Sequence, residues 1–375
     1  MHDKYQICTT CIMDTTDPEI EFDENGVCNH CRRFDEFAKK WPLNTETGKD
    51  QLNKIINKIK KDGEGKEYDC IAGVSGGVDS SYVLYKAKEL GLRPLAVHFD
   101  SGWNSECSVN NIENMVKKLN IDLYTFVANW EEMRDLQLAF FKASVANCDI
   151  PQDYVFKVVL YKTADTNGIK YIISGSNLVT ESILPTSWGY RNNDSRHLRS
   201  IHKQFGTIKL RHYPQLSLFE QIIYYPYIKK IKTIPILDYM TYIKAEAKEF
   251  LKREFGWKDY GGKHFESVFT KFFQSYYLPK KFGFDKRRAH LSSLIVSGQM
   301  TREEALKEME KVIYPEHQLR EDKEFVAKKL GIAAEEFETI MALPIKTFRD
   351  YPSYSWLFET KDKVSKILHK YKILR

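Results

Sequence analysis

The pattern of apolar and polar positions divides the chain into a polar opening, a long strand–helix alternation and a helical tail. Within 46–66, Leu52, Ile55, Ile56 and Ile59 share one face, which predicts a linker helix. A short apolar run, Cys70 to Val74, then breaks into Ser75-Gly76-Gly77. Beyond it Val83, Leu84, Ala87 and Leu90 recur at helical spacing, and Gly91 is a natural stop. The alternation continues with a strand over 93–100, a helix over 109–119, a strand over 121–127, a helix over 131–147 and a strand from 171 into a glycine turn at 175. This order predicts an α/β domain over 67–240, built on a parallel sheet covered on both faces. Residues 241–375 read as a mainly helical substrate or interface domain. Its helices are expected near 242–255, 269–277, 301–312, 320–330, 333–342 and 358–372; Thr301 and Glu304 form a capping box.

In open parallel sheets ligands sit beyond the carboxyl ends of the strands. Three polar loops should therefore converge: 75–79, 100–104 and 174–181. The first is a strand, a glycine turn and a helix N-terminus, an arrangement that attracts anions. It lacks the lysine of a Walker loop and the spacing of a dinucleotide fingerprint. Ser75, Gly76, Gly77, Ser80 and Ser81 are candidate phosphate contacts. Asp79 reads either as a helix N-cap or as a carboxylate that holds Mg²⁺ on a bound phosphate. Asp100 either ends its strand or faces the ligand.

Cys8-x2-Cys11 and Cys28-x2-Cys31 carry the spacing of a four-thiolate zinc ribbon over residues 1–45, with Asp23-Glu24-Asn25-Gly26 as the hairpin turn between them. Four thiolates leave no open position, so the expected zinc is structural. His30 reads as a surface residue, and the acids of this module (Asp14, Asp17, Glu19, Glu21, Asp23, Glu24) would repel phosphates. A folding clamp or docking surface is therefore expected. Cys70 falls in a buried strand, Cys107 in a loop and Cys148 near a helix end; none reads as a catalytic thiol.

Two further stretches carry chemistry-bearing residues. The region 185–215 reads as a long polar, aromatic and basic loop, either solvated or presenting Trp188 and Asp194 to a sugar. The block 260–267 contains Lys263, His264 and Glu266, open to acid–base or structural use. The run 280–288, with Lys286, Arg287 and Arg288, reads as a phosphate clamp or a solvated basic turn.

Composition narrows the class. Apolar residues at 42% and aromatics at 13% describe a folded chain. The net charge of +6 suits anionic small molecules without requiring nucleic acid. No apolar run reaches membrane length and the first residues have no signal-peptide character, so a cytoplasmic protein with reduced thiols and no membrane partner is expected.

The string Ser-Gly-Gly-Val-Asp-Ser (75–80) resembles the signature of PP-loop ATP pyrophosphatases. With Cys-Thr-Thr-Cys (8–11), Cys-Asn-His-Cys (28–31), His-Phe-Asp-Ser-Gly-Trp-Asn (98–104), Gly-Ser-Asn (175–177), Tyr-Gly-Gly-Lys-His-Phe-Glu-Ser (260–267) and Asp-Lys-Arg-Arg-Ala-His-Leu (285–291), nearly the whole chain resembles the N-acetyl sugar amidotransferase family. These are the PP-loop enzymes of bacterial surface-polysaccharide and flagellin-glycan biosynthesis. The resemblance implies ATP, Mg²⁺ and a nucleotide-activated acetamido sugar, converted to an acetamidino sugar through an O-adenylyl imidate and ammonia. It implies a second nucleotide-contacting loop at Gly175 and Asn177, with Glu181 beside it. It also implies a separate glutaminase subunit, with room for a cyclase-like channel subunit, since no Gly-x-Cys-x-Gly nucleophile is present. Homo-oligomerisation is left open. The alternative is a PP-loop tRNA-modifying enzyme, a thiolase or lysidine-type ligase.

Overall fold

The computed structural model describes residues 4–39, 45–263 and 265–360. Its centre is a five-stranded parallel sheet ordered β3-β2-β1-β4-β5, with β1 Cys70–Val74, β2 Pro94–Asp100, β3 Leu123–Val127, β4 Tyr171–Ile173 and β5 Lys232–Ile234. Ile71 pairs with both Leu95 and Ile172, which places β1 between β2 and β4. Chain order runs outward from β1 to β3 and then returns to β4. The strand order therefore reverses between β1 and β4, the position where doubly wound sheets open a ligand crevice.

Alternation along β1 explains why both faces are covered. Ile71 packs with Leu95, Val97 and Ile172 into one core, which α5 Trp130–Lys142 and α6 Ile150–Thr166 complete. Cys70, Ala72 and Val74 point the other way, into a core closed by α2 Glu46–Asp62, α3 Val78–Glu89, α4 Glu106–Leu119 and α9 Lys244–Phe255. The linker helix is as expected, with Leu52, Ile56 and Ile59 inward. Cys107 lies in α4 rather than in a loop, because Ser105 caps that helix from Ser108 N–H.

Residues 185–215 are not one long loop. Asp194 accepts from the Arg196 and His197 N–H groups and starts α8 Ser195–Phe205, whose His197, Leu198 and Ile201 are buried. The expected helix at 269–277 is α10 Val268–Phe272, continued by π-helical turns over Phe273–Phe282 around Pro279. Then follow α11 Arg287–Val296, α12 Arg302–Glu310 with the capping box at Thr301, α13 Glu316–Leu330 and α14 Ala334–Ala342. Most of the helix expected at 358–372 lies outside the described residues. Among the described residues, no helix is long and apolar enough to cross a membrane.

The cysteine module is anchored to the far end of the chain. The Arg302 guanidinium donates to the carbonyls of Cys8 and Cys11, and Arg288 pairs with Asp14 at 3.0 Å. Ile12 packs with Leu291 and Ala305.

Candidate functional site

The loop after β1 is shaped by its own small residues. Gly76 has φ +79°, and a Cβ there would lie 2.4 Å from the Ser108 carbonyl oxygen. Its carbonyl accepts from Trp257 Nε1 at 3.0 Å. Ser80 Oγ donates to the Gly77 carbonyl, while Ser75 Oγ accepts from Gly77 N–H. The second loop lies directly against this one: a Cβ on Gly175 would meet Asp79 and Ser80 backbone atoms at 3.1 Å. The two glycine turns at the strand-order reversal thus form one cradle.

Asp79 is not the N-cap; Gly77 occupies that position and Asp79 lies in the first turn of α3. Its Oδ1 accepts from Tyr242 Oη, and its Oδ2 faces Lys244 Nζ at 3.8 Å. The Lys244 ammonium is pushed below its usual pKa by burial, against the pull of Asp79. Ser81 is buried and is not among the residues that line the cavity over the cradle. Asn177 is likewise turned inward: it caps α7 Leu178–Glu181 by accepting from Thr180 N–H. Asp100 holds the 100–104 turn, accepting from Gly102 N–H and Asn104 Nδ2, and lines none of the three cavities described next.

A cavity of about 680 Å³ opens over the cradle, bounded by Ser75, Gly77, Asp79, Ser80 and Gly175, with the lysines Lys157, Lys244 and Lys263 around it. It adjoins a second cavity of about 380 Å³ through shared walls at Ser75, Asp153, Glu181, Lys263 and Glu266. The second is lined by hydroxyl, amide and carboxyl groups, including Asn147, Asp149, Gln152 and Asn192. A third, of about 320 Å³, shares Lys263, Gln274, Lys286 and His290 with the second and carries apolar walls at Phe265, Leu291 and Leu294.

The block 260–267 is brought onto this junction. Ser267 bridges to Asn104, and Ser105 N–H donates to the Glu266 carbonyl at 2.9 Å. Lys263 Nζ lies 3.2 Å from Glu181 Oε1, joining two residues 82 positions apart. His264 lies outside the described residues.

The expected sugar and phosphate contacts are redistributed. Trp188 is fully buried and stacks on Phe284 with centroids 4.5 Å apart, so it offers no face to a sugar. Asp194 is consumed by the α8 cap and by the Tyr354 N–H. Arg287 binds Asp285 and the carbonyls that end α12. Arg288 serves Asp14 and the Ile12 carbonyl. The basic run is therefore not assembled as a clamp; of the three expected cations in it only Lys286 lines both the second and third cavities. The region after Pro185 still reaches the site through Gly189, Tyr190 and Asn192.

At the cysteine module, Sγ–Sγ separations of 3.6 Å (Cys28–Cys31), 3.7 Å (Cys11–Cys28) and 3.9 Å (Cys8–Cys31) match the ~3.8 Å edge of a tetrahedron with ligands at ~2.3 Å, as zinc requires. These four buried thiols can hold one metal ion. His30 is not a surface residue: it is buried and its Nε2 lies 2.7 Å from Asp17. Asp14 and Asp17 are also buried, so the acids of this module are not a uniformly solvated face.

Several cavity residues carried no motif in the sequence: Lys244, Lys157, Asp149 and Gln152. For Lys157 the available signal was a charge inside an otherwise apolar stretch, the α6 sequence Tyr-Val-Phe-Lys157-Val-Val-Leu.

Comparison with known proteins adds to this picture. Residues 266–364 match the family model described as LPS biosynthesis protein WbpG-like, C-terminal domain. This match supports the family expected from the motifs: the C-terminal quarter is similar to the WbpG-like domain. An uncharacterised protein of Methanocaldococcus jannaschii is 27% identical over 176 residues, 46% of this chain; the chain spans 59% of that relative's length. An NH3-dependent NAD synthetase from Campylobacter jejuni is similar at 16% identity over 42% of this chain and 72% of its own, with a TM-score of 0.29. An NMN synthetase from Francisella tularensis is similar at 18% identity over 56% of this chain and 93% of its own, also with a TM-score of 0.29.

Proposed function

We propose that the protein is an ATP-dependent amidotransferase that converts an acetamido group of a nucleotide-activated sugar into an acetamidino group, releasing AMP and pyrophosphate. The observation that carries this reading is the continuity of cavities around Lys263. A cradle of backbone and hydroxyl groups with three lysines suits a triphosphate, and it shares a wall with a mixed cavity whose hydroxyl, amide and carboxyl groups suit a hydroxyl- and amide-bearing sugar. The WbpG-like domain supplies that shared wall through Glu266 and supports a sugar substrate.

An amide carbon is a poor electrophile and its oxygen a poor leaving group. Attack of that oxygen on the α-phosphate of ATP expels pyrophosphate and gives an O-adenylyl imidate; ammonia then adds and AMP departs. Ser75 to Ser80 would cradle the pyrophosphate, and Lys157, Lys244 and Lys263 would stabilise charge on the phosphates. Mg²⁺, when bound, neutralises phosphate charge. Asp79 fits such an ion as a hard oxygen ligand lining the cavity, its contact to Lys244 being long enough to yield. Zinc on the four cysteines would hold the N-terminal module, and through Arg302 and Arg288 the helices α11 and α12. Ammonia would come from a separate glutaminase, in a cytoplasmic reaction.

The test is incubation with ATP, ammonium and a panel of acetamido sugar nucleotides. The expected result is AMP and pyrophosphate in step with a product in which NH replaces oxygen, and its loss in Ser75→Ala and Asp79→Ala. AMP formation driven by tRNA and not by any sugar nucleotide overturns the reading.

A further inference from the structure

On the wall of the second cavity lies a carboxyl group that does not cap the helix it precedes. Asp149 occupies the N-cap position of α6, yet its side chain makes no capping hydrogen bond. It turns instead into the cavity, where it is 7% exposed. Three elements fix it there. Gln152 Nε2 donates to Asp149 Oδ1 at 2.9 Å, and Thr270 Oγ1, from α10, donates to the same oxygen at 3.2 Å. Ser101, at the end of β2, donates to Gln152 Oε1 at 2.6 Å and so orients the amide with its nitrogen toward Asp149. Among the described residues, Oδ2 accepts no hydrogen bond.

Glu266 shares this wall, and two further carboxyl groups on it are tied to neighbours. Glu181 is held by Lys263, and Asp153 accepts from Asn192 Nδ2 at 3.2 Å.

We infer that Asp149 is the catalytic base that takes the proton from ammonia as it adds to the activated amide carbon. This rests on the amidotransferase reading above. The chemistry requires such a group. The ammonia lone pair forms the new C–N bond, leaving an extra proton on that nitrogen. The proton passes to Asp149 Oδ2, and the C–O bond to AMP then breaks with its electron pair leaving on the phosphate. Amide, ammonia and ATP thus give an amidinium, AMP and pyrophosphate with one proton over, which Asp149 returns to solvent. Burial, together with the charge of Asp153, pushes the Asp149 carboxyl up to about 7, against the pull of Lys286, Thr270 and Gln152. A group poised there can accept and release a proton at neutral pH. Beyond Asp153, Lys286 and its neighbour Cys148, the titratable groups lining the cavity with it are His98, Glu181, Tyr190, Lys263, Glu266 and His290.

The test compares the full-length wild type with Asp149→Asn and Asp149→Glu. It reads sugar-nucleotide-dependent ATP–pyrophosphate exchange, amidine formation from ammonium, and the pH dependence of kcat. The inference expects Asp149→Asn to keep exchange within about 3-fold while amidine formation falls about 10²–10⁴-fold and the rising limb of the pH profile is lost. Asp149→Glu should regain part of the rate with a displaced limb. Amidine formation within about 3-fold of wild type, or equal loss of exchange and amidine formation in both variants, overturns the assignment. Should Asp149→Asn not fold, a wild-type profile without a limb near neutrality overturns it instead. Absence of exchange in the wild type with every sugar nucleotide is a different result, and overturns the amidotransferase reading itself.

Discussion

Replacing Gly76 by alanine isolates the geometry of the cradle. The residue's φ of +79° lies in the left-handed region, where a Cβ costs about 1–2 kcal/mol. The new methyl would also lie 2.4 Å from the Ser108 carbonyl oxygen and 2.9 Å from Ser108 Cα, backbone atoms of a buried helix start that cannot swing aside. Relieving such overlap typically costs about 1–3 kcal/mol more. Any shift that relieves it also strains the hydrogen bonds that Trp257 Nε1 and Asn111 Nδ2 donate to the Gly76 carbonyl. The expected loss is therefore about 2–5 kcal/mol in denaturant titration, accompanied by a smaller ATP-induced rise in Tm. Gly65→Ala is the control: its φ is +74° but nothing lies within 4 Å of the added methyl, so only the backbone share should appear. A Gly76→Ala loss under about 1 kcal/mol with an unchanged ATP response refutes the close-packed cradle.

The remaining predictions concern the anchors and the buried carboxyl. Cys28→Ser should abolish retention of one metal equivalent, measured by elemental analysis, and lower Tm, because the Arg302 bonds to the Cys8 and Cys11 carbonyls tie that module to α12. Arg288→Ala leaves Asp14 buried without its cation and should cost about 3–5 kcal/mol in denaturant titration; a near-neutral result contradicts the anchoring role. Asp149→Asn should stabilise the fold at pH 8. A carboxyl whose folded pKa is raised favours folding below its unfolded pKa and loses that contribution as pH rises through about 7. The gain of the variant, on the order of a few kcal/mol at pH 8, should vanish near pH 4; equal Tm differences at both pH values contradict it.

The frame of this protein was legible because local signals agreed with the global fold. The apolar run at 70–74 followed by a glycine turn specifies β1 and the cradle, and the paired Cys-x2-Cys spacing specifies the four-thiol cluster. Polar residues misled wherever their partners are distant in sequence. Arg288 looked like a phosphate contact because nothing nearby reveals Asp14, 274 residues earlier. Trp188 looked available for stacking because Phe284 is far along the chain. His30 looked exposed for the same reason, its partner Asp17 lying across the hairpin. Asp194 and Asn177 were read for chemistry when they start helices, a role that their residue types equally favour. Asp149 carries no distinctive signal because an aspartate before a helix usually is a cap, and only the tertiary structure turns it away from one.

The most direct test of the central claim uses a sugar nucleotide whose acetamido oxygen carries ¹⁸O. If that oxygen attacks the α-phosphate within the cradle at 75–80, one ¹⁸O must appear in the phosphate of AMP for each acetamidino product formed. Label retained in the sugar, or lost to water while AMP stays unlabelled, contradicts the account.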